Sequence, residues 1–266
     1  MVIGLLFKNT LIKIKKSLGR YLSLLIIVMV GVGFYAGIQS TSPDIVAVAD
    51  RYYKSHNLMD FKIVSTLGLT NEDVKAIKAI KNADSVIPTY SLDVVNEGNT
   101  IRLHALEQSV NIISLINGRM PENETECIAD SKTYKVGDKI KIKSIVSDKL
   151  KNAEFTVVGT GQSVLYLGDD YGNTTVGDGK LSSFAFIDRS NFIMDAYTEV
   201  YIIAADTKGT TVYSDEYNNA ALLLNDELVK IKPQREASRY QEEHIWQPLK
   251  ILRRKPVWLR ERFPMY

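Results

Sequence analysis

The residue types that carry chemistry are sparse in this chain of 266 residues, and their spacing closes most catalytic routes. The histidines, His56, His104 and His244, lie far apart with no H-E-x-x-H pair, so zinc hydrolysis has no ligand set. Gly159-Thr160-Gly161 runs on into Gln162, Ser163 and Val164; without a third glycine, the end of a strand is the better reading than a dinucleotide loop. No G-x-x-x-x-G-K-[ST] occurs, so the chain does not itself cradle nucleotide phosphates. Asp169 and Asp170 sit in a loop rich in Gly and Asn but lack the D-x-[DN]-x-[DN]-G order of a calcium loop, which predicts a solvated turn. Cys127 is the sole cysteine, so no internal disulfide forms. With no histidine near it in sequence, it reads as a half-buried small apolar residue rather than a nucleophile. No catalytic, cofactor-binding or metal-ligating residue follows from these patterns, and the chain is not expected to be an enzyme.

The elements around these residues point to a membrane. Residues 21–38 (YLSLLIIVMVGVGFYAGI) carry no charge, and the uncharged run continues to Asp44. A helix rises about 1.5 Å per residue, so about 20 such residues match a hydrocarbon core about 30 Å thick. Before them stand Lys8, Lys13, Lys15, Lys16 and Arg20 with no acid. Basic flanks stay on the cytoplasmic side, which places the N-terminus inside and everything after Asp44 outside. A cleaved signal peptide and the buried helix of a soluble protein are the competing readings. The first needs an A-x-A-like site, which Tyr35-Ala36-Gly37 fits poorly, and the second needs apolar cover that later residues do not supply. Within the lead, Val2, Ile3, Leu5, Leu6, Leu11, Ile12 and Ile14 alternate with lysines, as in a helix lying in the headgroup layer; a plain basic lead is the alternative. Gly33 and Gly37 share a helix face, where small residues let another membrane helix approach closely.

Charge is distributed unevenly. The net charge is +2, but residues 1–20 and residues 245–266 carry +5 each, leaving −8 on the stretch between. An acidic folded region between basic ends argues against a nucleic acid partner. That region shows mixed periodicities. Residues 45–53 read as a helix or stalk leaving the membrane, and residues 61–65 as a strand. Thr70 with Asp73 three residues on marks a capped helix whose apolar stripe is Val74, Ile77 and Ile80. Strands are expected on each side of Pro88 and over residues 100–105, with a turn at Asn96-Glu97-Gly98-Asn99 between them. A β-rich part follows, with strands over 139–145, 155–159, 184–187 and 199–204 and a long loop at 168–180. Residues 213–239 read as a polar helix with scattered apolar positions, and Pro233 falls in its last part. Beyond His244, both tryptophans and Pro248, Pro256 and Pro264 crowd into a basic tail whose spacing permits neither a long helix nor a regular strand.

Further residues carry a family resemblance. Ile116-Asn117-Gly118-Arg119-Met120-Pro121-Glu122-Asn123, then Glu126-Cys127-Ile128, then Tyr134-Lys135-Val136-Gly137-Asp138-Lys139-Ile140 resemble a G-R-x-P…E-C/A-V/I…G-D-x-I signature. It is that of the extracytoplasmic domain of FtsX-like (MacB-like) ABC transporter permeases. Residues 158–167, 172–181 and 191–201 look like the version found in large permeases of Firmicutes, and the lead Lys16-Ser17-Leu18-Gly19-Arg20-Tyr21 with the first span resembles the same family's start. The signature's role is structural: Gly118 and Pro121 set a turn, and Gly137-Asp138 makes the tight turn before Ile140.

The resemblance implies an α+β chain, with one transmembrane helix followed by a mixed α+β extracytoplasmic domain that has a β-rich second part and a C-terminal helix. The expected segments are a cytoplasmic lead at 1–20, a span at 21–42 and a MacB-like periplasmic core at 43–212. A helix that begins a coiled coil at 213–244 and a disordered or out-of-frame tail at 245–266 complete them. Implied partners are the bilayer, a cytoplasmic ABC ATPase, and other permease helices or a second copy, in ATP-driven export, extraction or mechanotransmission. The family's later spans do not follow residue 244, so a truncated or frameshifted permease is expected. A stand-alone single-pass binding or sensor protein remains open. A secreted enzyme would need cleavage near Ala36 and a catalytic set that the residues do not supply.

Overall fold

The computed structural model describes residues 12, 17–142, 148–243 and 250–253. The chain is α+β: one long apolar N-terminal helix, then a domain of two sheets with helices, the last of them C-terminal. It divides into two units, Met1–Asp50 and Arg51–Tyr266.

Helix α1 (Leu18–Ser55) continues through Pro43. Among the described residues it is the one helix long and apolar enough to cross a membrane, and none of its most apolar window is buried. Leu24, Ile27, Val30 and Phe34 all lie open. An apolar surface that wide has no counterpart in water-exposed helices, which keep one polar face.

The second unit begins with the last turn of α1. Its strands are β1 (Phe61–Leu69), β2 (Ala83–Thr89), β3 (Ser91–Asn96), β4 (Asn99–Ala105), β5 (Ser114–Gly118), β6 (Glu126–Asp130), β7 (Lys139–Lys141), β8 (Glu154–Gln162), β9 (Ser183–Ile187), β10 (Tyr197–Ala204) and β11 (Lys250–Arg253). Helix α2 (Asn71–Lys78) follows β1, and α3 (Asp215–Glu243) follows β10. The first sheet has the order β11-β1-β10-β2, all antiparallel. The second has the order β3-β4-β9-β6-β8-β5, with β7 also on β8, and is mixed: β4/β9 and β6/β8 run parallel. Everything from β3 to β9 is therefore inserted between two neighbouring strands of the first sheet. The chain crosses at Tyr90 and again over residues 188–196. At that crossing the Tyr90 ring stacks on Phe192 with centroids 5.4 Å apart. The Arg189 guanidinium lies over both Tyr90 and Tyr197.

Alternation explains the cores. Phe61 and Ile63 of β1, with Val200 and Ile202 of β10, face α2 and α3, where Val74, Ile77, Leu224 and Leu228 cover them. The opposite face of β10 carries Tyr201 and Ile203, packed with Val110. In the second sheet β9 is buried on both faces. Ala185 and Ile187 join Ile101, Leu103, Phe155 and Val157 on one side, while Phe184 and Phe186 meet Ile113 and Ile128 on the other. Burying one Phe or Ile of this kind stabilises by about 1.5–3 kcal/mol.

Most expected elements are present, with differences that have physical causes. Thr70 caps α2 in a capping box with Asp73, as the spacing predicts. The turn at Asn96–Asn99 is a two-residue hairpin loop in which Glu97 and Gly98 both take positive φ, 50° and 91°. Strand β7 stops at Lys141 instead of running to 145; residues 143–147 lie outside the described ones. Strands β5 and β6 have no counterpart in the sequence-based strand set. In the tail, where no regular strand is expected, Lys250–Arg253 pairs antiparallel with β1 from Phe61 to Val64, because β1 is an open sheet edge at that point. Lys8, Lys13, Lys15 and Lys16 of the lead and His244 lie outside the described residues, while Arg20 is in the first turn of α1.

Candidate functional site

Strand β8 organises the signature residues. Its inner edge pairs with β6, and its outer edge is shared by β5 along one half and β7 along the other. Against β6 the register slips by one residue: Cys127 pairs with Val157 but Ile128 pairs with Gly159, so Val158 is a bulge. Carbonyls of consecutive strand residues normally point to opposite edges. Here both neighbours turn outward: Gly137 N–H donates to Val157 O at 2.8 Å, and Arg119 N–H donates to Val158 O at 3.0 Å. Val157 N–H in turn donates to Asp138 O at 2.8 Å. The two halves of the signature thus meet side by side on one bulge.

Each signature residue has a defined part in this clamp. Gly118 has φ +81°, and a Cβ there would run into the Val158 carbonyl oxygen and lie 2.9 Å from both Gly159 Cα and Val136 Cγ2. Arg119 places its guanidinium on the Glu126 carboxylate through two bonds, 2.7 Å and 2.6 Å. Glu126 also accepts the Glu122 N–H at 2.8 Å, which fixes the irregular stretch holding Pro121. Arg119 first, and that backbone N–H second, hold the Glu126 carboxyl down at about 2. Gly137 takes φ +98°, and Asp138 accepts the Lys135 N–H at 2.8 Å, closing the turn before β7. These are positioning contacts.

The other sequence candidates lie elsewhere. Gly33 and Gly37 are on α1, and a Cβ at either meets nothing within 4 Å. Cys127 is wholly buried rather than half-buried, and burial pushes its thiol up to about 12, so it stays protonated. Asp169 lies on a turn, paired with Lys132 at 2.6 Å. Gly159-Thr160-Gly161 is the C-terminal part of β8, as the strand-end reading predicts. Among the described residues no three His, Cys, Asp or Glu side chains group as a metal site.

The sequence gives little warning of a buried polar cluster between the sheets. Glu199, 4% exposed, accepts Lys62 Nζ at 2.9 Å, Ser91 Oγ at 2.8 Å and the Tyr201 hydroxyl at 2.6 Å. Burial opposes its ionisation, but the Lys62 ammonium and the Tyr201 hydroxyl hold it at about 2. On the adjacent strands Arg102 forks onto Asp93 at 2.5 Å and 2.7 Å. His104, 2% exposed, shares a 2.7 Å hydrogen bond between Nε2 and the Tyr166 hydroxyl, and burial pushes it down to about 4. A cavity of about 240 Å³ lies by the start of β1, lined by Lys54, Asn57, Thr207 and Lys208 among others. The Asp60 carboxylate at its wall is taken up by the Tyr217 and Thr207 hydroxyls and Ala204 N–H, at 2.6–2.9 Å.

No family model matches the chain, and no curated protein matches it in sequence. The solved structures similar to the chain include two at 12% identity. One is the extracellular domain of the noncanonical ABC-type transporter YknZ from Gram-positive bacteria, with a TM-score of 0.34 over 71% of this chain and 99% of that one. The other is the periplasmic region of MacB from Actinobacillus actinomycetemcomitans, with a TM-score of 0.38 over 76% of this chain and 91% of that one.

Proposed function

We propose that the chain is a membrane-embedded permease subunit of an ABC transporter. Helix α1 holds it in the cytoplasmic membrane with the N-terminus inside, and the unit from Arg51 onward works outside. Its part is binding and force transmission in ATP-driven export, extraction or mechanotransmission, with no catalysis of its own. The observation that carries this reading is the convergence of Gly118, Arg119, Gly137 and Asp138 on the β8 bulge. Residues picked out by a resemblance to FtsX-like permeases form one structural clamp, as a family signature with a structural role would. The open apolar surface of α1 supports the membrane part, and the basic lead supports the orientation.

In this reading Gly33 and Gly37 are the close-approach face for other permease helices or a second copy. Residues 1–20 and 21–42 are the lead and the span, 43–212 the MacB-like core, and 213–244 a helix entering a coiled coil. The nucleotide site belongs to a separate cytoplasmic ABC ATPase, since no phosphate loop occurs in this chain. Capture tests this. The full chain is cross-linked in its native membrane, purified through an N-terminal tag and identified with its partners by mass spectrometry. An ATPase carrying a Walker loop is the expected partner. Recovery with extracytoplasmic proteins alone overturns the reading in favour of a single-pass binding or sensor protein.

A further inference from the structure

The segment between β4 and β5, residues 106–113, touches three parts of the second unit at once. It meets the exit of α1 first. Asn111 N–H donates to Asn57 O at 3.1 Å, and Ile112 N–H donates to His56 O at 2.8 Å. Met59 N–H donates to Asn111 Oδ1 at 3.1 Å, and Asn57 Nδ2 donates to Ser109 O. One residue beyond the segment, Ser114 Oγ bonds His56 Nε2, whose other ring nitrogen bonds Tyr52 O at 2.7 Å in the last turn of α1.

The same segment plugs both sheets. Val110 is fully buried against Tyr201 and Ile203, on the face of the first sheet that α2 and α3 do not cover. Ile113, three residues on, is buried against Ile128, Phe184 and Phe186 of the second sheet. Asn57 and Asn111 both take left-handed backbone, with φ 45° and 50°. Asparagine tolerates that region, and its side chain supplies the cross-bond.

We propose that residues 106–113 are a coupling strap, which ties the exit of α1 to both sheets so that a displacement at residues 52–59 passes directly into β5. This rests on the force-transmitting reading for its purpose, but the mechanical claim stands on the contacts alone. Without the strap, residues 56–59 would be a short connection between the helix end and Asp60, which β10 holds through Ile202 O and Ala204 N–H. With it, β5 is also reached directly, beside the covalent route into β1, and the far end of β5 is Gly118 at the β8 bulge.

The left-handed asparagines provide a clean test. Glycine at either position accepts the left-handed backbone and removes the side-chain bonds, together with the buried volume of Asn111. Nitroxide labels are placed at Arg51→Cys and Val136→Cys, both exposed, in the full chain in lipid nanodiscs; Cys127 is buried and does not compete. With the strap intact, pulsed dipolar spectroscopy should give one narrow distance distribution. The Asn57→Gly/Asn111→Gly chain should broaden it, and amide exchange in residues 114–118 should rise about tenfold while the β3–β4 hairpin is unchanged. Asn57→Gly alone, at an exposed position, should give a smaller change of the same kind and covers failure of the double variant to fold. An unchanged distribution and unchanged exchange in these variants overturn the strap. The readout involves no ATPase, so loss of the permease reading and loss of the strap are separate outcomes.

Discussion

At Gly118 the left-handed backbone and the Val158 carbonyl act together: one disfavours any L side chain, and the other occupies the space its Cβ would need. Gly118→Ala should therefore cost about 2 kcal/mol or more, read as a lower urea midpoint of the full chain in micelles. A cost within about 0.5 kcal/mol would mean the clamp on β8 is not tight. The tight turn at Gly137 was legible in the sequence, whereas Gly118 ends β5 and Pro121 lies in an irregular stretch instead of the expected turn. The meeting of the signature's two halves on one bulge was not legible, because Val157 and Val158 are ordinary strand residues whose register only the fold reveals. His104 carries a second prediction. Its folded value is about 4 against an ordinary 6.5, so the unfolded chain takes up the proton first as pH falls. Stability from neutral His104 is fully present above about pH 6.5 and is lost as pH falls toward 4, to a total of about 3 kcal/mol. Melting temperature followed across that window should drop steeply for the native chain and less so for His104→Gln. Parallel slopes would remove His104 as the cause.

Helix α2 is the element the sequence specified most fully. The Thr70–Asp73 capping box is formed, with Thr70 N–H on Asp73 Oδ2 at 2.8 Å and Asp73 N–H on Thr70 Oγ1 at 3.3 Å. Asp73 does more than cap, since its other oxygen takes Arg235 Nε at 2.7 Å and fastens α3 to α2. Thr70→Ala should cost about 1 kcal/mol. Asp73→Ala should cost about 2–3 kcal/mol, because it removes the cap and leaves a largely buried guanidinium without that partner. Chemical denaturation of the two variants side by side checks the order, and equal costs would show that the Arg235 pair contributes nothing. Strands β5 and β6 were illegible for opposite reasons. In β6, Cys127, Ile128 and Ala129 are all buried because both faces are covered, so no alternation appears. In β5, Leu115 and Ile116 are both exposed on an edge, so the apolar pattern points nowhere. The strap was missed because its anchors, Val110 and Ile113, are separated like residues of a helix while each enters a different core.

For the molecule as a whole, the insertion of seven strands between β2 and β10 is what the sequence hid. Both crossings look like ordinary connections until Tyr90, Phe192 and Arg189 are seen stacked together. The long apolar N-terminal helix was the reverse case, legible from composition alone because 18 consecutive uncharged residues leave no break in it. Everything proposed about function depends on which side of the membrane the folded unit occupies. Labelling of single-cysteine chains in intact cells with a membrane-impermeant maleimide tests that most directly. Val136→Cys, exposed at the edge of the second sheet, should react in intact cells, Ser17→Cys should react only after lysis, and buried Cys127 should react in neither. Protection of Val136→Cys until lysis, with or without labelling of Ser17→Cys, would place the domain inside and contradict a permease subunit that works across the membrane.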